Sequence, residues 1–350
     1  MLRAIRAVSG DSAVKLRTLV LGLLAAAAMA VPASANTLDN VRKNGFLRCG
    51  VSEGQPGFSN PDAKGNWTGL DVDYCRAVAA AIFNDPNKVR FVPVSFAERF
   101  TALQAGQFDI LSHNTTWTMD RDVGQGLEFI GVDFYDGQGF MVRKSSGITS
   151  ALQLKGATLC TQTGTTSELN AADYSRAHNL GYKVIVYQKA SEYIAAYDAG
   201  RCDGATTDRS GLAGDRLKLK NPADHILLPE TISKEPLGPA VRQGDQQWGD
   251  LCRWVLFAMV NAEELNVNSK NVDQMMNSTS PEVRRLLGKE GGFGQELTLT
   301  ADWAYRIIKR VGNYGEVYER AVGTGTPLKL PRGLNNLWNK GGIMYAPPIR

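Results

Sequence analysis

The sequence contains few of the residues and patterns on which metal, redox or nucleotide chemistry depends. It has three histidines and five cysteines in 350 residues, and neither C-x-x-C nor H-E-x-x-H occurs. The patterns G-x-G-x-x-G and G-x-x-x-x-G-K-[ST] are also absent. These absences argue against zinc or thiol catalysis and nucleotide-dependent enzymes, so we expect no cofactor and no metal.

Long apolar runs are missing after the first 35 residues, and no later segment is long enough to span a membrane. At the start, four basic residues precede an apolar run from Leu19 to Ala30, which is followed by Ala33-Ser34-Ala35. This order is typical of a signal peptide with a small-x-small cleavage site. We therefore predict that residues 1–35 are a signal peptide and that the mature chain begins at Asn36. An uncleaved membrane anchor is the alternative.

A strong net charge is also missing from the predicted mature chain. The whole sequence carries a formal charge of +4, and residues 1–35 contain four basic residues and one acidic residue, which leaves +1 for the remainder. Nucleic-acid binding needs lysine and arginine clustered on one face. We therefore expect no nucleic-acid partner.

The five cysteines are an odd number, so at least one of them has no partner within the chain. Cys49 ends a predicted strand and Cys75 lies in the helix that follows, whereas Cys160 and Cys202 lie on two predicted strands of a later unit. We predict the structural disulfides Cys49–Cys75 and Cys160–Cys202, because disulfides persist in exported proteins. The sequence leaves open whether Cys252 stays free.

Short apolar runs alternate with segments of helical periodicity in two separate stretches, and each stretch predicts a βαβαβ unit. Right-handed crossovers would give each unit a parallel sheet with helices on its faces. The first unit has predicted strands at 46–51, 89–94 and 108–111 and helices at 69–83 and 96–104. The second has strands at 157–161, 183–187 and 204–207 and helices at 165–177 and 192–199.

Two extended passages, Phe134–Arg143 and Pro236–Arg242, separate these units and predict that the chain leaves the first lobe and later returns to it. We predict an α/β fold of two lobes joined by two hinge strands. Lobe 1 would comprise residues 36–140 and 238–350, including a helical C-terminal extension, and lobe 2 would comprise 141–237. The tail from 326 to 350 is expected to clasp a lobe. Ligands should bind in the cleft between the lobes.

Three polar stretches follow predicted strand ends and together contain the groups that an amino-acid zwitterion needs. A carboxylate is bound well by a guanidinium and by helix N-terminal amides, and an ammonium by a carboxylate with hydroxyl and carbonyl acceptors. The three stretches are 112–121 (SHNTTWTMDR), 163–167 (TGTTS) and Thr207-Asp208.

Several phrases distributed over the mature chain carry a family resemblance. They are 69–73 (GLDVD), the loop ending in Thr116 and Arg121, 164–166 (GTT), 200–203 (GRCD), Asp208, 232–242 (ISKEPLGPAVR) and 345–348 (YAPP). In this combination the sequence resembles the polar amino-acid-binding proteins of ABC importers, and most closely their general L-amino-acid-binding branch.

The resemblance implies a type II periplasmic-binding-protein fold and a monomer that captures free L-amino acids with broad specificity. The expected partner is an inner-membrane ABC permease complex, and the expected location is the periplasm. Ligand-driven closure of the two lobes would be the state that the permease recognises.

The resemblance also implies roles for individual residues. Arg121 would form a forked salt bridge to the ligand carboxylate, assisted by the backbone amides of Thr116 and Thr166. The ligand ammonium would meet Asp208, the Thr116 hydroxyl and the Asn114 carbonyl.

Three further positions complete the expected ligand-binding set. Thr165 lies in the strand-to-helix turn with Thr166, and Phe96 is expected to form an apolar wall. Gln55 occupies the loop where the family commonly has an aromatic ring, which suggests a roomier or more polar side-chain pocket. For His113, a packing role is favoured over ligand contact, because a lone histidine is weak evidence for a site.

Other functions remain open at this level. An enzyme on the same scaffold, such as a dehydratase or a lyase acting on an amino or carboxylic acid, is the main alternative, because a fold does not determine function. Against it, the predicted site has no obvious acid–base pair. A sensor module is a weaker alternative, since the sequence shows no transmembrane or signalling segment after the proposed lobes.

Overall fold

The computed structural model describes residues 36–350, and the predicted signal peptide lies outside the described residues. In the described part, fourteen strands form two five-stranded sheets and two short two-stranded pairs. The strands are β1 (Leu47–Val51), β2 (Asn60–Pro61), β3 (Trp67–Thr68), β4 (Val89–Pro93), β5 (Ile110–Leu111), β6 (Leu127–Phe129), β7 (Phe134–Asp136), β8 (Gln138–Arg143), β9 (Thr158–Gln162), β10 (Lys183–Tyr187), β11 (Gly204–Asp208), β12 (His225–Leu227), β13 (Glu235–Leu237) and β14 (Ala240–Arg242).

The first sheet has the strand order β4-β1-β5-β14-β6, and we call the part of the protein built on it the first lobe. β1 runs parallel to both β4 and β5, whereas β14 runs antiparallel to β5 and β6. The carboxyl ends of β1, β4 and β5 therefore meet at one edge of the sheet. The loops that leave these three ends supply the first-lobe side of the site.

The second sheet repeats this arrangement, with the order β10-β9-β11-β8-β12, and defines the second lobe. β9 is parallel to β10 and β11, and β8 is antiparallel to β11 and β12. The carboxyl ends of β9 and β11 lie at the same edge, because parallel strands share their direction. The predicted α/β class with two lobes is confirmed.

The chain passes between the two sheets twice, and β7 and β13 form a separate antiparallel pair at these passages. The pair is shorter than the predicted connections, because Gln138–Arg143 belongs to the second sheet and Ala240–Arg242 to the first. Gly238 follows the pair, and a Cβ atom there would lie 1.9 Å from the carbonyl oxygen of Gly131. The lobe boundaries after residues 140 and 237 remain predictions.

Helices cover the faces of both sheets, and those after residue 245 pack on the first lobe. No helix in the range 36–350 combines the length and the apolar character that crossing a membrane requires. The helices are α1 (Thr37–Asn44), α2 (Leu70–Phe83), α3 (Arg99–Gln104), α4 (Thr166–Ala177), α5 (Ala190–Asp198), α6 (Arg209–Arg216), α7 (Gln246–Glu264), α8 (Val272–Met275), α9 (Pro281–Leu286), α10 (Phe293–Glu296), α11 (Trp303–Arg310) and α12 (Tyr314–Ala321).

The C-terminal extension packs on the first lobe and shares its apolar core. The long helix α7 begins after Asp245, whose carboxylate caps the helix by accepting from the Trp248 amide. The Trp248 indole is buried and donates to the Asp109 carbonyl oxygen at 2.9 Å. The apolar faces of α2, α7, α11 and α12 join one cluster against the sheet, so burial of their apolar surface stabilises the C-terminal extension on this lobe.

Each lobe contains one disulfide. Cys49 of β1 is joined to Cys75 of α2, and Cys160 of β9 is joined to Cys202. Cys202 precedes β11 and does not lie on the strand, contrary to our expectation. Cys252 of α7 is free and buried, and burial raises the pKa of its thiol well above the ordinary value. Its thiol is therefore kept protonated and unreactive.

The structure also contains helices that periodicity did not reveal. α6 has two glycines in eight residues, Gly211 and Gly214, and glycine has a low helix propensity. α12 is short, but it starts with a capping box in which Asn313 and Glu316 each bind the other's backbone amide. The tail packs on the first lobe, where the Asn335 side chain bonds both backbone groups of Tyr135.

Candidate functional site

A small cavity lies between the two lobes at the edges where the parallel strands end. Seven of the eight residues predicted to bind a ligand line it. The first lobe contributes Phe96, Arg99, Asn114, Thr116 and Arg121, and the second contributes Thr165, Thr166, Ser167, Thr207 and Asp208. Gln55 is the predicted residue that does not line this cavity.

Arg121 supplies the positive wall of the cavity. It lies in a π-helical turn, Asp120–Gly124, after the loop that follows β5, and is 7% exposed. One guanidinium nitrogen donates to the Thr116 carbonyl oxygen at 2.9 Å, and the group lies 5.3 Å from the Phe100 ring centre. Burial lowers the pKa of Arg121, while the charges of Glu235 and Asp208 raise it. The charge is therefore held in place by one carbonyl oxygen and by carboxylates at longer range.

Asp208 supplies the negative wall, from the other lobe. It is the last residue of β11 and directly precedes α6, and it is 8% exposed. Burial, together with the nearby carboxylates of Asp136 and Glu235, raises the pKa of Asp208 well above its ordinary value. A buried carboxylate in these surroundings is stabilised by a cation, because a positive charge nearby favours the ionised form.

Asp71, in the first turn of α2, fixes the conformation of the loop after β5. One carboxylate oxygen accepts from the Ser112 hydroxyl at 3.2 Å, and the other accepts from the Asn114 backbone amide at 3.1 Å. Asn114 adopts the left-handed conformation with φ 35°, and its side-chain oxygen is buried without a protein partner. The loop is also joined to β13, because Thr116 forms a β-bridge with Leu237.

Thr165 and Thr166 occupy the turn between β9 and α4. Thr166 is the first residue of a twelve-residue helix, so its amide belongs to the set that has no partner within the helix. The Thr165 hydroxyl donates to the Gln162 carbonyl oxygen at 2.7 Å and fixes the turn. Helix N-termini of this kind favour anions.

Gln55 lies in the loop after β1, and its amide nitrogen donates to the Gly211 carbonyl oxygen of the second lobe at 3.2 Å. It lines a second, larger pocket. Phe96 lines both this outer pocket and the inner cavity, so the two adjoin at its ring. The outer pocket is lined by Ser52, Glu53, Gly54, Gln55, Phe96, Gln162, Lys189, Ala190, Ser191 and Lys218.

His113 lies behind the cavity and does not line it. One ring nitrogen is 2.8 Å from the Val94 carbonyl oxygen, and the ring meets Phe96 edge to face at 4.5 Å. Burial, and then the charge of Arg99, lower the pKa of His113 to about 3, so the ring is neutral at physiological pH. Its contacts are those of a packing residue that supports Phe96.

Arg99 lines the cavity but was not among the predicted site residues. Its guanidinium lies between the rings of Phe96 and Phe100, and it donates to the Gly164 carbonyl oxygen across the cleft at 3.2 Å. It also donates to the Phe96 carbonyl oxygen. Burial lowers the pKa of Arg99 well below the ordinary value. In the sequence, only its position between two phenylalanines at the start of a helix could have indicated it.

Glu235 of β13 is a second residue that the sequence analysis did not assign. Its carboxylate accepts from the hydroxyls of Thr116 and Thr166, which come from opposite lobes, at 2.6 and 2.9 Å. It lies within the phrase 232–242, which carried the family resemblance, but no pattern there pointed to contact with the site. Within residues 36–350 no cluster of three or more potential metal ligands occurs.

Known proteins resemble this chain over nearly its whole length. Residues 47–283 match the bacterial extracellular solute-binding proteins, family 3. The general L-amino acid-binding periplasmic protein AapJ of Rhizobium johnstonii is 56% identical over 96% of this chain and 99% of its own. The glutamate/glutamine/aspartate/asparagine-binding protein BztA of Rhodobacter capsulatus is 51% identical, covering 93% of this chain and 96% of its own.

A solved structure extends this similarity to three dimensions. A periplasmic binding protein of an ABC transporter from Brucella ovis, with glutathione bound, is 55% identical and superposes with a TM-score of 0.89. The match covers 90% of this chain and 100% of that one. The cleft between two α/β lobes and these matches define a solute-binding protein. The chain belongs to family 3 of the bacterial extracellular solute-binding proteins, and its relatives are binding proteins of ABC importers, not enzymes.

Proposed function

We propose that this protein captures free L-amino acids in the periplasm and delivers them to an inner-membrane ABC permease. The observation that carries the proposal is that Arg121 and Asp208, which are both buried and come from opposite lobes, line one cavity. A zwitterion has one charge for each wall, and a buried charge is stable only where it is paired and hydrogen-bonded. The relative AapJ is named as a general L-amino acid binder, which agrees with this assignment.

In this proposal the ligand carboxylate lies against Arg121 and the N-terminus of α4, with the amides of Thr116 and Thr166 as further donors. The ammonium lies against Asp208, with the Thr116 hydroxyl and the Asn114 carbonyl as acceptors. Because only the main-chain charges are held in the inner cavity, the side chain extends past Phe96 towards the outer pocket. Broad specificity follows, since the outer pocket is larger than the inner cavity and its lining is mostly polar.

Delivery would depend on closure of the two lobes about β7 and β13. Hydrogen bonds from Gln55, Arg99 and Lys218 cross to the opposite lobe, as expected for the closed state. Hinge closure is a known response of binding proteins to ligands. Residues 1–35 would direct export, and the exported protein would act as a monomer that presents its closed surface to the permease.

Replacement of Arg121 tests this assignment. In Arg121→Met, the affinity for L-amino acids should fall by about 2–5 kcal/mol, because the ligand carboxylate is buried without its partner. The matched control is Arg176→Met, since the Arg176 side chain is 76% exposed and lies on the outside of α4. Calorimetric titration with a panel of amino acids measures both variants. Equal affinities in Arg121→Met and the unmodified protein would contradict the assignment.

A second candidate ligand is glutathione, which the Brucella ovis relative binds. Its γ-glutamyl residue carries the same free ammonium and carboxylate as an amino acid, so this head would fit the inner cavity. The remaining two residues would then lie in the outer pocket, where Lys189 and Lys218 could attract the terminal carboxylate. The Lys218 ammonium already bonds Asp215 and the Gly54 carbonyl oxygen, so Lys189 is the freer of the two cations.

Titration with glutathione tests this second candidate. Lys189→Met should weaken glutathione about two- to fivefold, the effect of an exposed ion pair, and leave L-alanine unchanged. Lys144→Met, at an exposed position outside both pockets, is the control and should change neither affinity. No binding of glutathione to the unmodified protein would remove it as a candidate, and an equal loss for both ligands in Lys189→Met would contradict the role given to Lys189.

A further inference from the structure

Glu235 is a buried carboxylate whose partners come from both lobes. It is 1% exposed and lies in β13, one of the two strands at which the chain passes between the sheets. One oxygen accepts from the hydroxyls of Thr116 and Thr166. The other oxygen accepts from the side-chain amide of Asn170 at 2.7 Å and from the Ser233 hydroxyl at 2.6 Å. Its four donors satisfy the carboxylate, so it needs no ligand for itself.

The two threonine bonds constrain what the cavity can offer to a ligand. A hydroxyl has one proton and two lone pairs. When that proton is given to Glu235, the hydroxyl presents only lone pairs to any other group. Thr116 and Thr166 both line the inner cavity. Their hydroxyl oxygens can therefore act towards a ligand as acceptors and not as donors.

We infer that Glu235 is a positioning residue that fixes the Thr116 and Thr166 hydroxyls as acceptors and so makes the site select an α-ammonium over an α-keto group. This inference rests on the proposed function, because it concerns the amino end of the proposed ligand. An ammonium is donor-only and meets these lone pairs favourably. A keto oxygen can only accept hydrogen bonds, so no proton would lie between it and the threonine oxygens. It would also lie next to the carboxylate of Asp208.

The charge of Glu235 acts in the same direction. Glu235 is the largest charge contribution that raises the pKa of Arg121, and it also raises the pKa of Asp208. The carboxylate therefore makes the surroundings of the cavity more negative, which favours a cation at the amino end. Removing the Glu235 carboxylate should make the surroundings of the cavity less negative and leave the two hydroxyls free to turn.

The experiment compares L-leucine with its α-keto analogue, 4-methyl-2-oxopentanoate, by calorimetric titration. In Glu235→Met, the hydroxyl protons are free to turn into the cavity and to donate to a keto oxygen. The ratio of the two affinities should fall by about tenfold or more, in line with the free energy of an unsatisfied buried polar group. A merely structural role would weaken both ligands by one factor and leave the ratio unchanged, and this result would overturn the inference.

Two further variants keep the inference testable if Glu235→Met does not fold. Thr116→Val and Thr166→Val remove the hydroxyls themselves and should also lower the ratio. Adding Glu235→Gln to the double valine variant should then lower the ratio by a smaller factor than Glu235→Gln does in the unmodified protein, because only the charge of Glu235 is left to act. An undiminished ratio in the double valine variant would overturn the inference.

The unmodified protein separates this inference from the proposed function. If it binds neither compound, the proposed function fails and the inference fails with it. If it binds L-leucine and the variants keep the same ratio, the proposed function stands and only the role of Glu235 is wrong.

Discussion

Buried acidic side chains outnumber the buried cations near the cleft. One of them, Asp71, holds the loop after β5 through the Ser112 hydroxyl and the Asn114 backbone amide. Burial raises the pKa of Asp71 to about 7, and the neighbouring Asp133 carboxyl has its pKa raised well above the ordinary value by burial and by Asp71. The shape of the site thus depends on a carboxyl group beneath it.

The raised pKa of Asp71 predicts that stability depends on pH. Between about pH 4 and 7 the folded protein keeps a proton on Asp71 that the unfolded chain, with its ordinary pKa of 3.8, has released. The unfolded state then binds fewer protons, so the free energy of unfolding falls as the pH rises through this range. Asp71→Asn should show a shallower fall. Urea unfolding at pH 4.5, 5.5, 6.5 and 7.5 measures it.

The exposed Asp224 provides the control for this pH dependence. Asp224→Asn should keep the pH dependence of the unmodified protein, because that side chain lies on the surface. If Asp71→Asn and Asp224→Asn fall equally steeply with pH, the proton on Asp71 is not the cause. The neighbouring Asp133 also keeps its proton in the folded state over this range and adds to the fall, so Asp71→Asn should reduce the slope without abolishing it.

At the scale of elements, the turn from β9 to α4 lies close to the first lobe. Gly164 in this turn has φ +75°, and a Cβ atom there would lie 2.9 Å from Cα of Ala97 and 3.1 Å from the Phe96 carbonyl oxygen. Its own carbonyl oxygen accepts from Arg99. Glycine is required here both for the left-handed backbone and for the contact between lobes.

Substitution of this glycine predicts a loss of ligand affinity. In Gly164→Ala the added methyl group meets backbone atoms of the first lobe, so closure should cost about 1–3 kcal/mol, the usual range for overpacking. Gly181→Ala is the matched control, because Gly181 has φ +66° and nothing within 4 Å of an added Cβ. Both variants should lose similar stability from backbone strain, and calorimetry should find weaker ligand binding only in Gly164→Ala. Equal affinities would show that the turn does not limit closure.

At the scale of the whole molecule, closure brings together groups that neither lobe could use alone. Arg121 and Thr116 come from the first lobe, Asp208 and Thr166 from the second, and Glu235 from the strand pair between them. A ligand held by both lobes stabilises the closed arrangement by its differential affinity for the two states. In the proposed function, the charges that recognise the ligand would therefore also drive the movement.

The sequence predicted the architecture well, because its evidence is local. Helical periodicity ended where the structure ends α2 and α4, at Phe83 and Ala177. The predictions that failed also have local causes. The helix α6 was not predicted because it contains two glycines, and Cys202 was expected on a strand but precedes it. Seven of the eight proposed ligand residues line one cavity, because strand ends in a parallel sheet meet at one edge. Their individual roles remain predictions.

The sequence by itself determined the two α/β lobes, the partners that form the two disulfides and the polar loops at the strand ends. It did so because periodicity, turns and strand ends depend on neighbouring residues. Only the tertiary structure decided that Gln55 faces the outer pocket, that Arg99 lines the inner one and that Glu235 accepts from two threonines. Those threonines lie 119 and 69 residues from Glu235 along the chain. Contacts at such separations depend on how the lobes meet, and no local pattern encodes them.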